Sequence, residues 1–210
     1  MTSPEGDDAE PVEGSPDRLV TLSDGIYAIA MTLLVLDIKV PDGLSAAQFH
    51  AAIGDVWPKL AAYAWSFYIL TTFWRDHRRL FLRVRRIDAT LLRLTTASLC
   101  TVALLPFTTS LLAEYSRQSQ AVALYAGNIL AIVSLHIALV MTLWRRRSLQ
   151  AQRISDELGR GVTQDLGVTA VVFALSIPIA FVSPVAGLCC WTLLIPAKIA
   201  VGWRNRRAAA

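Results

Sequence analysis

Between Arg18 and Pro41 the chain is largely Leu, Ile, Val and Ala, yet Ser23 and Asp24 fall inside this apolar run, about one turn from its start. A carboxylate at the centre of a bilayer costs about 2.5–3.5 kcal/mol on insertion scales and less near the edge, so such a group faces a bundle interior and finds a partner. Candidate partners end the next apolar run, in Trp74-Arg75-Asp76-His77-Arg78-Arg79. The Trp74 indole or the His77 ring can donate to Asp24 or Ser23, and Arg18 is close enough in sequence to neutralise Asp24. This chemistry is hydrogen bonding and charge pairing. It serves either a clamp between helices or a gating, proton-sensitive element at the cytoplasmic end. On the same segment Ile29, Leu33 and Leu36 recur at i, i+4 and i+7 and share one helical face, with Thr32 beside them. Spacing alone makes them core or lipid-facing residues. Gly25, Ala28 and Ala30 are small enough for close helix approach.

Nothing elsewhere suggests covalent chemistry, so no catalytic set, metal or cofactor is expected. The chain has no His/Cys metal spacing, no GxGxxG and no Walker loop. Cys100, Cys189 and Cys190 lie in apolar stretches and read as small core residues. Asn128 and His136 are isolated and read as interhelical hydrogen-bond residues. Arg93 and Lys198 sit near span ends and can snorkel to the interface. Paired charges at mid-membrane, as in ion-coupled transporters, are missing, as are a TVGYG-type filter loop and a voltage-sensor strip of arginines.

The elements that must carry these residues are membrane helices. Of 210 residues, 54% are hydrophobic and 17% charged, against about 45–50% and about 25% in soluble domains. Six apolar stretches are expected as spans, near 19–40, 57–74, 94–113, 121–144, 166–183 and 185–203. Ser183-Pro184 fits a tight hairpin between the last two; a single re-entrant segment with an odd span count is the alternative. Residues 41–55 read as an outer loop with a short amphipathic helix over Ala46–Ile53. Residues 1–17, with six acidic residues and three prolines, read as a disordered tail without a secretory signal. Residues 18–207 form the membrane domain. Arginines follow the second, fourth and sixth stretches, whereas the opposite loops hold only Lys39, Lys59 and Arg117. An even number of spans with both termini in the cytoplasm satisfies this asymmetry. Trp74-Arg75, Trp144-Arg145 and Trp203-Arg204 read as interfacial anchors in anionic inner-leaflet lipid, and not as nucleic-acid patches.

The segment Leu22-Ser23-Asp24-Gly25-Ile26-Tyr27-Ala28-Ile29-Ala30, continued by Thr32-Leu33-Leu34, resembles the bacterial branch of the lysosomal potassium channel family (transmembrane protein 175). Ser66-Phe67, the Trp74…His77 pair and Leu104-Leu105-Pro106-Phe107 add to the likeness, which runs from Arg18 to Phe107. Three positions depart from the family pattern. Leu22 replaces a Phe, Arg78 replaces a second His, and Thr95 or Thr96 stands for an Asn. The resemblance implies a homotetramer in a bacterial plasma membrane, with six helices per chain and the first helix lining the pore. It implies hydrophobic constrictions at Ile29, Leu33 and Leu36, a polar layer at Thr32, and a clamp or gating network of Arg18, Ser23, Asp24, Trp74 and His77. The permeant ion is then potassium, weakly preferred over sodium. A small-solute transporter or exporter of the same architecture, and a non-conducting scaffold, are the competing functions.

Overall fold

The computed structural model describes residues 16–36, 38–40, 42–194 and 196–198. Most of the expected tail, Asp37, Pro41 and the end of the sixth expected span with Trp203-Arg204 lie outside them. The described chain is helical: α1 (Pro16–Leu33), α2 (Ala46–Phe81), α3 (Ala89–Ala103), α4 (Leu105–Glu114), α5 (Ser119–Arg145), α6 (Asp156–Val182) and α7 (Pro184–Thr192). By length and composition, three stretches are fit to cross a membrane: Ala89–Glu114, Ser119–Arg145 and Gly159–Val182. The 18 residues of α1 include Asp17, Arg18 and Asp24, and α2 is long but more polar.

Several boundaries differ from the expected ones for local reasons. Pro16 and Asp17 belong to α1, not to the tail. Proline at a helix start loses only an N–H that would be unsatisfied there, and an acid suits the positive end of the helix dipole. α1 also ends early, in a turn over residues 34–36 where the Leu36 N–H donates to the Leu33 carbonyl at 3.1 Å. The following Asp37-Ile38-Lys39-Val40-Pro41 brings two charges and a proline together, which favours leaving the helix. The expected outer amphipathic helix is not separate. It forms the first turns of α2, which runs unbroken through Pro58. Ser45 and Gln48 start α2 with a capping box, in which the Ser45 N–H donates to Gln48 Oε1 at 2.9 Å. The third expected span is two helices, α3 and α4, divided at Leu104 ahead of Pro106.

α5 is the central helix. Tyr125, Ile129, Ile132, Leu139 and Leu143 are all fully buried, and α5 packs on α3, α4, α6 and α7. Polar side chains tie the bundle across helices. Ser66 Oγ of α2 lies 3.0 Å from the Tyr125 hydroxyl and accepts from Thr109 Oγ1 of α4 at 2.9 Å. Asn128 Nδ2 donates to Thr108 Oγ1 at 3.3 Å, so this residue is indeed an interhelical link. At the arginine-rich end the turns after α2 and α5 are joined. Val84 and Gln150 form an antiparallel bridge, the Arg85 N–H donates to the Leu149 carbonyl at 2.7 Å, and Arg146 pairs with Asp88, the N-cap of α3. Two of the three basic boundaries therefore share one end of the bundle.

The α6–α7 hairpin turns at Ser183, which caps α7 with Pro184 in its first turn. The two helices approach closely at Gly187, where an added Cβ would stand 3.0 Å from the Ala180 Cβ and 3.1 Å from its Cα. Gly187→Leu overpacks this contact against backbone and is expected to cost about 1–3 kcal/mol, read as a lower melting temperature in detergent. Gly127→Ala, whose Cβ meets nothing within 4 Å, is the control. An unchanged melting temperature for Gly187→Leu would contradict the packing.

Candidate functional site

α1 has two unlike faces. Leu19, Ser23, Tyr27, Ala30 and Leu34, at steps of three and four residues, are buried in the chain's own bundle. The other stripe passes through Leu22, Gly25, Ile29, Thr32 and Leu33 and is exposed. Ile29 is 60% exposed, Leu33 41% and Leu36 59%. Leu36 follows the helix in the terminal turn, so the row expected on one helical face holds two helical members and one just beyond. Thr32 is exposed beside them, and its hydroxyl donates to the Ile29 carbonyl at 2.9 Å. Its oxygen keeps lone pairs facing outward. A Cβ at Gly25 would meet nothing within 4 Å, so no contact in this chain requires glycine there.

Two sets of polar contacts fix which way α1 faces. The first is near the C-terminal, arginine-rich end of α2. The Trp74 indole N–H donates to Asp24 Oδ1 at 2.7 Å, and Arg78 Nη1 lies 3.8 Å from Asp24 Oδ2. Arg78 stands one turn after Trp74 on the same face, and its guanidinium lies 5.7 Å from the indole centroid. The Asp24 and Arg78 side chains are 34% and 53% exposed, and an ion pair in that setting contributes about 0–1 kcal/mol. A hydrogen bond to a charged group contributes about 1.5–3 kcal/mol, so the indole bond is the stronger tie. Arg78, the departure from the family pattern, thus supplies a charge beside Asp24.

The other residues expected in this network are placed differently. Arg18 is exposed on the first turn and forms no ion pair with Asp24. Ser23 is buried, and its hydroxyl donates to the Leu19 carbonyl at 2.7 Å. His77 does not reach Asp24. Three residues past Trp74 it points about 60° away, into the bundle, where its ring stacks on Phe81 at 4.5 Å and lies 5.8 Å from Tyr27. Neither of its ring nitrogens has a hydrogen-bond partner among the described residues.

The second set is built on His136, an interhelical hydrogen-bond residue expected from sequence, although its partners are not named there. His136 Nδ1 lies 3.0 Å from the Ile132 carbonyl, which can only accept, so Nδ1 carries a proton there, and Nε2 faces the Tyr27 hydroxyl at 3.4 Å. Ser98 Oγ of α3 also lies 3.4 Å from Nδ1. Tyr27 and His136 are 109 positions apart in sequence. The available signal was Tyr27 on the Ser23–Ala30–Leu34 stripe, which marks a buried tyrosine needing a partner. Among the described residues no cluster of His, Cys, Asp and Glu suits a metal ion. The arrangement holds one helix in a fixed rotation and carries out no bond-making chemistry.

Comparisons with known proteins show which family the chain resembles. A model of the family described as "Endosomal/lysosomal potassium channel TMEM175" matches residues 18–106, the part holding α1, α2 and the α3–α4 break. A protein of Streptomyces collinus named as a potassium channel is 35% identical over 170 residues, covering 79% of this chain and 82% of that one. A potassium channel of Chamaesiphon minutus is 32% identical over 177 residues, covering 79% and 86%. The crystal structure of a lysosomal potassium-selective channel TMEM175 homologue from Chamaesiphon minutus superposes with a TM-score of 0.75 at 28% identity, covering 89% of this chain and 97% of that one. The family is one of ion channels and not of enzymes, and its members are multi-pass membrane proteins. On this sequence likeness, carried through a shared fold, the chain belongs to the TMEM175 family.

Proposed function

We propose that the chain is a potassium-preferring ion channel of a bacterial plasma membrane, in which four copies of α1 enclose the pore. The observation that carries this reading is the open stripe of α1. An amphipathic helix normally turns its apolar side toward its own core, but here Leu22, Ile29, Leu33 and Leu36 face away from a bundle to which the opposite side is pinned. Such a face is covered by lipid or by further copies of the chain. Two exposed small residues, Gly25 and Ala28, favour copies, because they let helix backbones approach. The names of the bacterial relatives supply the ion.

Four-fold repetition makes one row into stacked rings. A ring of Ile or Leu too narrow to hold water closes by dewetting, and ions pass when it widens enough to keep part of their hydration shell. The Thr32 ring offers hydroxyl oxygens in place of some of that water. Trp74 and Asp24 hold α1 against α2, so they set ring diameter from outside the pore. Arg18, Ser23 and His77 support the same end of the helix without touching Asp24. In this reading the chain crosses the membrane six times with both termini inside. The joined arginine-rich turns lie at the cytoplasmic face, in contact with anionic lipid. A transporter of the same architecture would saturate and couple to a second gradient, and a scaffold would pass no ions.

The deciding experiment is potassium and sodium flux into proteoliposomes, with oligomeric state measured on the same sample. A tetramer passing potassium faster than sodium is expected; saturable coupled flux, no flux, or another stoichiometry would overturn the proposal. Within it, Ile29→Asn is expected to hydrate one ring and raise basal flux several-fold. Unchanged flux in a folded tetramer removes Ile29 from the constriction. Trp74→Phe removes the indole donor and is expected to cost about 1.5–3 kcal/mol, seen as a lower melting temperature together with altered flux. Wild-type behaviour on both counts would show that this contact does not position the pore helix.

A further inference from the structure

α2 and α6 present matching stripes to each other but leave space between them. On α2 the stripe runs through Trp65, Ile69, Thr72, Asp76 and Arg79, with Arg83 in the turn just beyond the helix; on α6 it runs through Gly159, Val162, Leu166, Thr169 and Phe173. Both follow steps of three and four, so each lies on one helical face. Two cavities occupy the gap. One, of about 190 Å³, is walled by Trp65, Ile69, Phe73, Phe173 and Leu194. The next, of about 300 Å³, lies toward the arginine-rich end and contains Asp76, Arg79 and Arg83. Lys198 borders the first cavity, and its charge is met by Asp165 at 2.8 Å. Asp76 is half-buried and has no hydrogen bond or ion pair within 4 Å among the described residues; Lys198, Arg79 and Arg75 act on it at longer range, and Asp165 opposes them.

We propose that this groove seats one phosphatidylethanolamine molecule of the inner leaflet, with an acyl chain along the aromatic cavity and the headgroup among Asp76, Arg79 and Arg83. The charge pattern selects the lipid. Two guanidinium groups suit a phosphate, which arginine binds through paired N–H donors, and the carboxylate beside them suits an ammonium. A purely anionic headgroup would leave Asp76 facing more negative charge. The dimensions also fit. Trp65 to Arg79 is 14 residues of helix, about 21 Å at 1.5 Å per residue, and one leaflet with its headgroups is about 20–22 Å deep, half of a bilayer. The groove's place in the bundle is peripheral, since α6 packs on α5 and α7 whereas α1 packs on α2, α3 and α4. This inference rests on the membrane-spanning reading but not on ion conduction.

The test is to reconstitute the full chain into vesicles of equal parts phosphatidylethanolamine and phosphatidylglycerol, re-extract it in detergent, and quantify retained lipid by mass spectrometry. The wild type is expected to retain about one phosphatidylethanolamine per chain above the bulk ratio. Asp76→Asn should lower that retention about tenfold, the size of one lost charge-assisted contact. Thr72→Trp, which fills the groove without removing a charge, should lower retention of both lipids. Melting temperature and elution volume establish that each variant is folded, and Arg79→Gln, on an exposed position, replaces any that is not. Equal retention of the two lipids by the wild type, or retention unaffected by the variants, would overturn the proposal. Because no flux is measured, these outcomes are independent of whether the protein conducts.

Discussion

α1 buries only one of its two faces within its own chain. That constraint governs the rest of the structure, because the face it buries is set by polar contacts and not by hydrophobicity. Apolar side chains on either stripe are equally at home in hydrocarbon, so burial alone does not fix the rotation of a membrane helix. The Trp74 bond to Asp24 and the Tyr27 contact with His136 do fix it. Each involves a group that is expensive to leave unpaired in a low-dielectric environment. Rotating α1 by half a turn would strand a carboxylate and a tyrosine hydroxyl and leave the ring nitrogen of His136 facing apolar surface.

The two contacts act at different depths and on different neighbours. Trp74 belongs to α2 and holds α1 in the first half of the helix, at Asp24. His136 belongs to α5, the helix around which the bundle is built, and meets Tyr27 one turn further along. Ser98 of α3 joins the same histidine. α1 is therefore referenced to three helices at once, while Leu22, Ile29 and Leu33 stay free to meet other copies. In the proposed tetramer, a displacement of α2 or α5 reaches the constriction through one hydrogen bond in either case. The ion pair with Arg78 contributes little by itself at its degree of exposure.

How legible this was in the sequence depended on range. Hydropathy and arginine placement indicate a helical membrane protein, and the Ser183-Pro184 hairpin follows from its own two residues. The Trp74–Asp24 bond was also legible, since an acid within an apolar run demands a donor at matching depth. Helix ends were less so. The capping box at Ser45 and Gln48 decides where α2 begins, and hydropathy carries no trace of it; the break at Leu104 comes from the backbone donor missing at Pro106. The Tyr27–His136 contact joins positions over a hundred residues apart and exists only once α1, α3 and α5 have packed. His77 misled because it stands three residues after Trp74, at the end of the run expected to meet Asp24, whereas helical rotation turns it into the core.

The central claim is that the open stripe of α1 faces a passage for ions. It is tested most directly by single cysteines along α1 in a background lacking Cys100, Cys189 and Cys190, with flux followed while a water-soluble thiol reagent is added. The account predicts that the reagent blocks flux through Ile29→Cys, Leu33→Cys and Thr32→Cys and leaves Ala30→Cys and Leu34→Cys untouched. Block that ignores this periodicity, or no block at the three open positions in a protein that still conducts, would contradict it.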